Sequence, residues 1–224
     1  KLGRKVLATG NGKCNISNLH LNPSRYHGKS PSFVTSILKR FDAFTCKNYF
    51  RTLGLEMREG EEGRLYPMSH QASSVVDILV HEARRLGVVF YCESEVTHLA
   101  KKKEQFVLHV KETEHLFDAC VIATGSLAMP SLGSSASGYG FAKAFGHEVI
   151  EPFPSLVQLL SDEAYLKEAS GVKIEAGVEL FVEAKRFMHT HGDVLFTNYG
   201  LSGSAILDIS RHASFALSQN KEVF

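Results

Sequence analysis

The sequence predicts an α/β protein followed by a β-rich portion, and three observations carry that expectation. An apolar stripe at helical spacing over residues 71–86 stops at Gly87, and the β-branched and aromatic run Val88-Val89-Phe90-Tyr91-Cys92 follows. The continuous apolar run Ala119-Cys120-Val121-Ile122-Ala123 leads straight into Thr124-Gly125, as buried strands of parallel sheets do. Beyond Pro152 and Pro154 the pattern turns β-branched and alternating, which sets a boundary between residues 1–153 and 154–224.

The first residues are rich in Gly and Asn. Residues 6–8 read as a short buried segment, and Gly10 and Gly12 punctuate a tight loop. Phe33, Ile37, Leu38, Phe41 and Phe44 fall at helical spacing, which predicts one or two helices over 33–53. Pro67 biases Tyr66 toward extended backbone, so 64–67 reads as a short strand. Ser69 is placed to cap the 71–86 helix, and Gly87 to end it. Residues 96–99 continue extended after the 88–92 strand, and 106–110 and 115–117 predict two strands of an antiparallel meander before the 119–123 strand. Residues 139–145 read as a helix stopped by Gly146. Later, 172–174, 178–182 and 194–196 read as strands and 208–224 as a helix.

Composition narrows the function classes. Of 224 residues, 25 are Lys or Arg and 24 Asp or Glu, a net charge of +1, so no nucleic-acid partner is expected. The run Lys101-Lys102-Lys103 lies between two alternating apolar stretches and reads as a solvated hairpin turn. Cys14, Cys46, Cys92 and Cys120 lack CxxC spacing, which predicts neither a zinc site nor a disulfide framework. That usage fits a reducing, cytoplasmic location. No apolar run suffices to span a bilayer, so no membrane partner is expected. The chain opens Lys-Leu-Gly-Arg-Lys without an initiator Met, which reads as a start within a longer protein.

Two loops are candidates for chemistry. In Thr9-Gly10-Asn11-Gly12-Lys13-Cys14-Asn15, glycines allow close backbone approach to a flat or anionic ligand, and successive N–H groups form an anion nest. Spacing alone favours a surface turn there. The strand end at Ala123-Thr124-Gly125 is where open α/β sheets bind ligands, or simply a glycine turn. Cys14 beside Lys13 is a candidate thiol, with loop filling as the simpler role. His189 and His191 lack a third ligand nearby, Ser202 is not in a GxSxG elbow, and residues 133–138 are not a Walker loop. No acid–base pair stands out as catalytic.

In combination these motifs resemble the BaiN/YhiN-type, aminoacetone oxidase-like NAD(P)/FAD-dependent oxidoreductases. The run from Leu2 to Asn18, LGRKVLATGNGKCNISN, matches that family's hallmark loop. Gly63-Arg64-Leu65-Tyr66-Pro67, Ala123-Thr124-Gly125, Gly138-Tyr139, Gly146-His147, Pro154-Ser155-Leu156-Val157 and Leu195–Gly203 resemble its later motifs in order. The resemblance covers nearly the whole chain. It implies a partial Rossmann-like FAD-binding domain over 1–153, with 154–224 belonging to an inserted β-rich, β-barrel-containing domain. The dinucleotide glycines and ribose-binding acid are then expected upstream of Lys1, and the C-terminal return of the domain beyond Phe224.

By the same resemblance, Lys5, Thr9, Gly10, Asn11, Gly12, Lys13, Cys14 and Asn15 line the flavin and pyrophosphate. Glu95 and Val96 approach the adenine end through their backbone, and Ala123, Thr124, Gly125 and Ser126 close over the pyrophosphate. The implied activity is hydride transfer through bound FAD to a small molecule, with NAD(P)H as a candidate donor. The sequence departs from the family at Ser126, in the 133–139 loop, at Asn198 and at Ser204. Those departures motivate a rival expectation, a non-catalytic module with impaired FAD binding. A plain NAD domain fits less well, since it has no need of the 9–18 loop.

Overall fold

A helix forms at the start of the chain, where local spacing shows only a short buried segment. The computed structural model describes residues 2–28 and 30–224. It divides into two compact units, one ending at Phe145 and one beginning at Gly146.

The first unit runs α1 (Arg4–Ala8), β1 (Ser17–Asn18), α2 (Pro31–Arg40), α3 (Ala43–Thr52), β2 (Met57–Glu59), β3 (Arg64–Pro67), α4 (Ala72–Arg85), β4 (Val96–Lys102), β5 (Gln105–Val110), β6 (Thr113–Phe117) and α5 (Ser137–Ala144). β3 is the centre of a small antiparallel sheet, with Ser17 and Glu59 on either side of Leu65. Alternation along β3 sends Leu65 inward against Ala43, Cys46 and Met57. Burying that one leucine stabilises the unit by roughly 1.5–3 kcal/mol.

The 33–53 region is two helices because Asp42 starts the second one. Its carboxylate accepts the Thr45 N–H at 2.7 Å, and that bond holds its carboxyl below the usual carboxylate range. The stripe on α4 behaves as its spacing predicts: Ala72 and Val75 are buried with Cys14 and Leu55, and Val6, Leu7, Ile78 and Leu79 pack around them. Gly3 permits this approach, since a Cβ there would lie 2.7 Å from Val76 Cγ2. Gly87 ends the helix in the left-handed region (φ 78°), with its N–H on the Arg84 carbonyl. The cap expected at Ser69 lies two residues later, at Gln71. Ser69 Oγ instead accepts the Gln71 N–H at 3.2 Å and bonds the Ser74 hydroxyl at 2.8 Å, so it shapes the turn before the helix.

Residues 106–110 and 115–117 pair as expected, and β4 joins them to give an antiparallel β4–β5–β6 sheet, with Lys103 left-handed (φ 56°) in the exposed basic turn. The two flanking strands do not form. Residues 88–92 and 119–123 have no ladder partner among the described residues, and Val89 and Val121 are 69% and 86% exposed. Apolar, β-branched composition supplies a strand's side chains but not the neighbouring backbone that defines one. Every sheet ladder among the described residues is antiparallel.

The second unit runs β7 (Leu159–Leu160), α6 (Tyr165–Glu168), β8 (Lys173–Val182), β9 (Lys185–Thr197), β10 (Gly200–Ser202) and α7 (Ser204–Ser218). Its antiparallel sheet has the order β7-β10-β9-β8. The β8–β9 hairpin turns on Glu183 and Ala184, both left-handed (φ 50° and 62°), the pair of conformations that matches strand twist. α7 lays Ile206, Ile209 and Ala213 on this sheet, burying Leu180 and Val194. The sheet is open, so the barrel expected from the resemblance is absent among the described residues. The last helix also differs from expectation: it spans Ser204–Ser218, and the tail then turns back to β8. Phe224 and Phe181 exchange two backbone hydrogen bonds, at 2.8 and 3.0 Å.

Candidate functional site

The 9–15 loop owes its shape to backbone conformations that few residues adopt. Gly10, Asn11, Gly12 and Cys14 all lie at positive φ, 55°, 53°, 81° and 59°. Within it, Lys13 N–H reaches the Gly10 carbonyl and Cys14 N–H the Thr9 carbonyl, each at 3.0 Å. Gly10 is pressed from inside, since a Cβ there would lie 3.0 Å from Asn15 N and 3.3 Å from Tyr66 Cε1. Gly12 is the opposite case. Nothing lies within 4 Å of where its Cβ would point, so the loop presents bare backbone outward.

The second loop repeats that feature. Gly125 is left-handed (φ 83°) and its Cβ direction is also open. Ser126, at the departure from the family pattern, turns its hydroxyl into its own loop, where it accepts the Ala128 N–H at 3.3 Å. Ala123 and Thr124 are exposed. Thr124 meets α5 at Gly138, where any Cβ would collide with the Thr124 hydroxyl and come within 3.1 Å of Ile122 Cγ2.

Long-range bonds join the two regions. Lys5 Nζ donates to the Ala128 carbonyl at 2.7 Å, and Arg4 donates to the Ser131 carbonyl at 2.7 Å. α1 therefore carries the 9–15 loop at its end while its cations hold the 126–134 segment. Val96 is brought to the same neighbourhood, lining an apolar cleft with Leu99, Leu108, Ile122, Thr124 and Phe141. Glu95 is exposed. No Asp or Glu occurs in the sequence before Asp42.

The thiols separate by burial. Cys14 is 6% exposed within the core, so its side chain fills space while its backbone belongs to the loop. Burial also raises the Cys46 thiol, an effect partly offset by a hydrogen bond with Ser17. Among the described residues, no cluster of His, Cys, Asp or Glu could hold a metal ion.

Sequence reasoning placed Arg4 and Gly138 in motifs without giving either a role, and it missed His70. Arg4 and Gly138 act through partners more than ten residues away. His70 stacks on Tyr66 (centroids 5.9 Å, 22° between planes), the ring that abuts Gly10. Its Nε2 is sealed from solvent without a hydrogen-bond partner among the described residues. Buried polar atoms of that kind are uncommon and mark places where a ligand or water completes the structure.

Residues 1–205 match the family described as HI0933-like protein Rossmann domain. The chain belongs to that family. Members similar to it include a 3-dehydro-bile acid delta(4,6)-reductase of Clostridium scindens, 36% identical over 99% of this chain and 54% of the relative. Two proteins named ribosomal RNA dihydrouridine synthase are also similar. The Haemophilus influenzae protein is 34% identical over 95% of this chain and 53% of its own length. The Escherichia coli protein is 35% identical over 95% and 52%. The chain thus spans about half the length of the curated relatives it matches. Membership of the HI0933-like family supports the Rossmann-like assignment and not the narrower aminoacetone oxidase-like one. Among the described residues, no helix is long and apolar enough to cross a membrane. The names of the two ribosomal RNA enzymes leave open the nucleic-acid partner that the balanced net charge argues against.

Proposed function

We propose that this chain forms one wall of the FAD site of an HI0933-like oxidoreductase that saturates a carbon–carbon double bond conjugated to a carbonyl. The carrying observation is the pair of left-handed glycines, Gly12 and Gly125, each presenting bare backbone with open space where a side chain would be. The orphaned Nε2 of His70 beside the first loop supports the same reading. The residues fit a dinucleotide cofactor. Lys5, Thr9, Gly10, Asn11, Gly12, Lys13 and Asn15 would hold the flavin and pyrophosphate, with Cys14 contributing only backbone. Glu95 and Val96 would meet the adenine end, and Ala123, Thr124, Gly125 and Ser126 would close over the pyrophosphate.

Bound FAD supplies hydride transfer, with NAD(P)H as the proposed electron donor. This chain's own work is positional. Exposed N–H groups and Lys13 receive negative charge. The cations of α1 fix the opposing segment. The substrate class rests on the relatives' names: a delta(4,6)-reductase and a dihydrouridine synthase both denote addition of hydrogen across such a double bond. The inward turn of the Ser126 hydroxyl favours this reading over a non-catalytic module, because it leaves the glycine beside it open.

Gly12→Val is expected to weaken FAD binding at least tenfold, read by titration of flavin fluorescence. A β-branched residue is strained at φ 81° and fills the open cone. Gly54→Val is the control, since Gly54 also has positive φ and open surroundings but lies outside both loops. Equal FAD affinity in both variants and the parent would overturn this assignment of the wall.

A further inference from the structure

His70 Nε2 has less than 1 Å² of accessible surface and no hydrogen-bond partner among the described residues. A polar atom in that state carries its full desolvation cost. The atoms that seal it belong to this chain, so water, a ligand or any further length of polypeptide is shut out while they keep this arrangement. Only a local shift gives the nitrogen a partner. The His70 ring stacks on Tyr66, with centroids 5.9 Å apart and 22° between planes. Tyr66 is wedged between two glycines: a Cβ on Gly60 would lie 2.9 Å from its Cε2, and one on Gly10 3.3 Å from its Cε1. The imidazole is thus one ring removed from the backbone of the 9–15 loop. That loop holds Asn11 and Cys14 at positive φ, 53° and 59°, and His70 itself lies at φ 54°. Such conformations are sparsely populated and persist only where neighbours hold them.

We propose that His70 is a positioning residue that couples cofactor binding to the shape of the 9–15 loop. Its Nε2 is unpaired in the FAD-free protein, and it is paired once the loop and Tyr66 have shifted to receive FAD. The proposal rests on the reading of that loop as part of an FAD wall, and it deepens that reading by giving the buried nitrogen a role that differs between the two states. The free protein carries the cost of the orphan nitrogen and the bound protein does not, so the difference adds to FAD affinity. A side chain that merely filled space would favour both states alike.

The test compares the full-length protein with its His70→Phe and His70→Gln variants, by FAD titration and by thermal unfolding of the flavin-free forms. Phenylalanine keeps a ring on Tyr66 and removes the nitrogen. Glutamine gives up the ring but carries a polar atom at similar reach. Both keep a Cβ at the left-handed position, so the backbone cost is shared with the parent. His70→Phe is expected to weaken FAD binding about tenfold while leaving the flavin-free protein at least as stable as the parent. His70→Gln is expected to recover most of that affinity, an order that a space-filling role would reverse. The proposal is overturned if His70→Phe binds FAD as tightly as the parent, binds it more tightly than His70→Gln, or lowers the unfolding temperature of the flavin-free protein. A parent that binds no FAD would overturn the reading of the wall, and this proposal with it.

Discussion

Gly203→Ala is expected to destabilise the second unit by about 3–5 kcal/mol, measured by denaturant unfolding. Gly203 lies at φ 99° and ψ 165°, a backbone region that side chains essentially exclude. The added Cβ would also collide with the Asp193 carbonyl oxygen and lie 2.7 Å from the carbonyl carbon. Those atoms are backbone of β9, where Asp193 pairs with Glu175 of β8 and its N–H is held by Ser204 Oγ at 3.0 Å, so they have little room to retreat. The strain and the collision add. Gly171→Ala separates them, because its φ is 92° but nothing lies within 4 Å of the new Cβ. It is expected to cost only about 1–2 kcal/mol. Equal losses in the two variants would mean that the collision is relieved by movement of β9.

Leu65→Ala is expected to cost the first unit toward the upper end of about 2–5 kcal/mol. The cost depends on how far neighbours collapse into the cavity. Leu65 is 1% exposed and sits on the central strand of its sheet. Its carbonyl also accepts the Ile16 N–H at 2.8 Å, so the backbone around it is fixed on both edges. Exposed Leu116 provides the contrast, and its replacement by alanine is expected to stay within about 0.5 kcal/mol of the parent. A loss below 1 kcal/mol for Leu65→Ala would show that this core is loosely packed.

Features set by local periodicity were legible in the sequence: the α4 stripe and its glycine stop, and the pairing of 106–110 with 115–117. What escaped depends on distant partners. The 88–92 and 119–123 runs have the composition of buried strands, but composition does not provide a ladder. The tail at 219–224 leaves the helical pattern because Phe181, far back in the chain, offers it a strand edge. The candidate site shows the same division. Gly10, Gly12 and Gly125 announce unusual backbone by their identity, whereas the Lys5–Ala128 and Arg4–Ser131 bonds join residues more than 120 apart. Loop filling, the simpler role for Cys14, agrees with its burial in the core.

The central claim is tested most directly by the visible absorption spectrum of the protein purified at its full natural length, before and after anaerobic addition of NADH or NADPH. The account predicts oxidised-flavin bands that bleach when the donor is added. A protein that is colourless as purified, and still colourless after incubation with FAD, would contradict it.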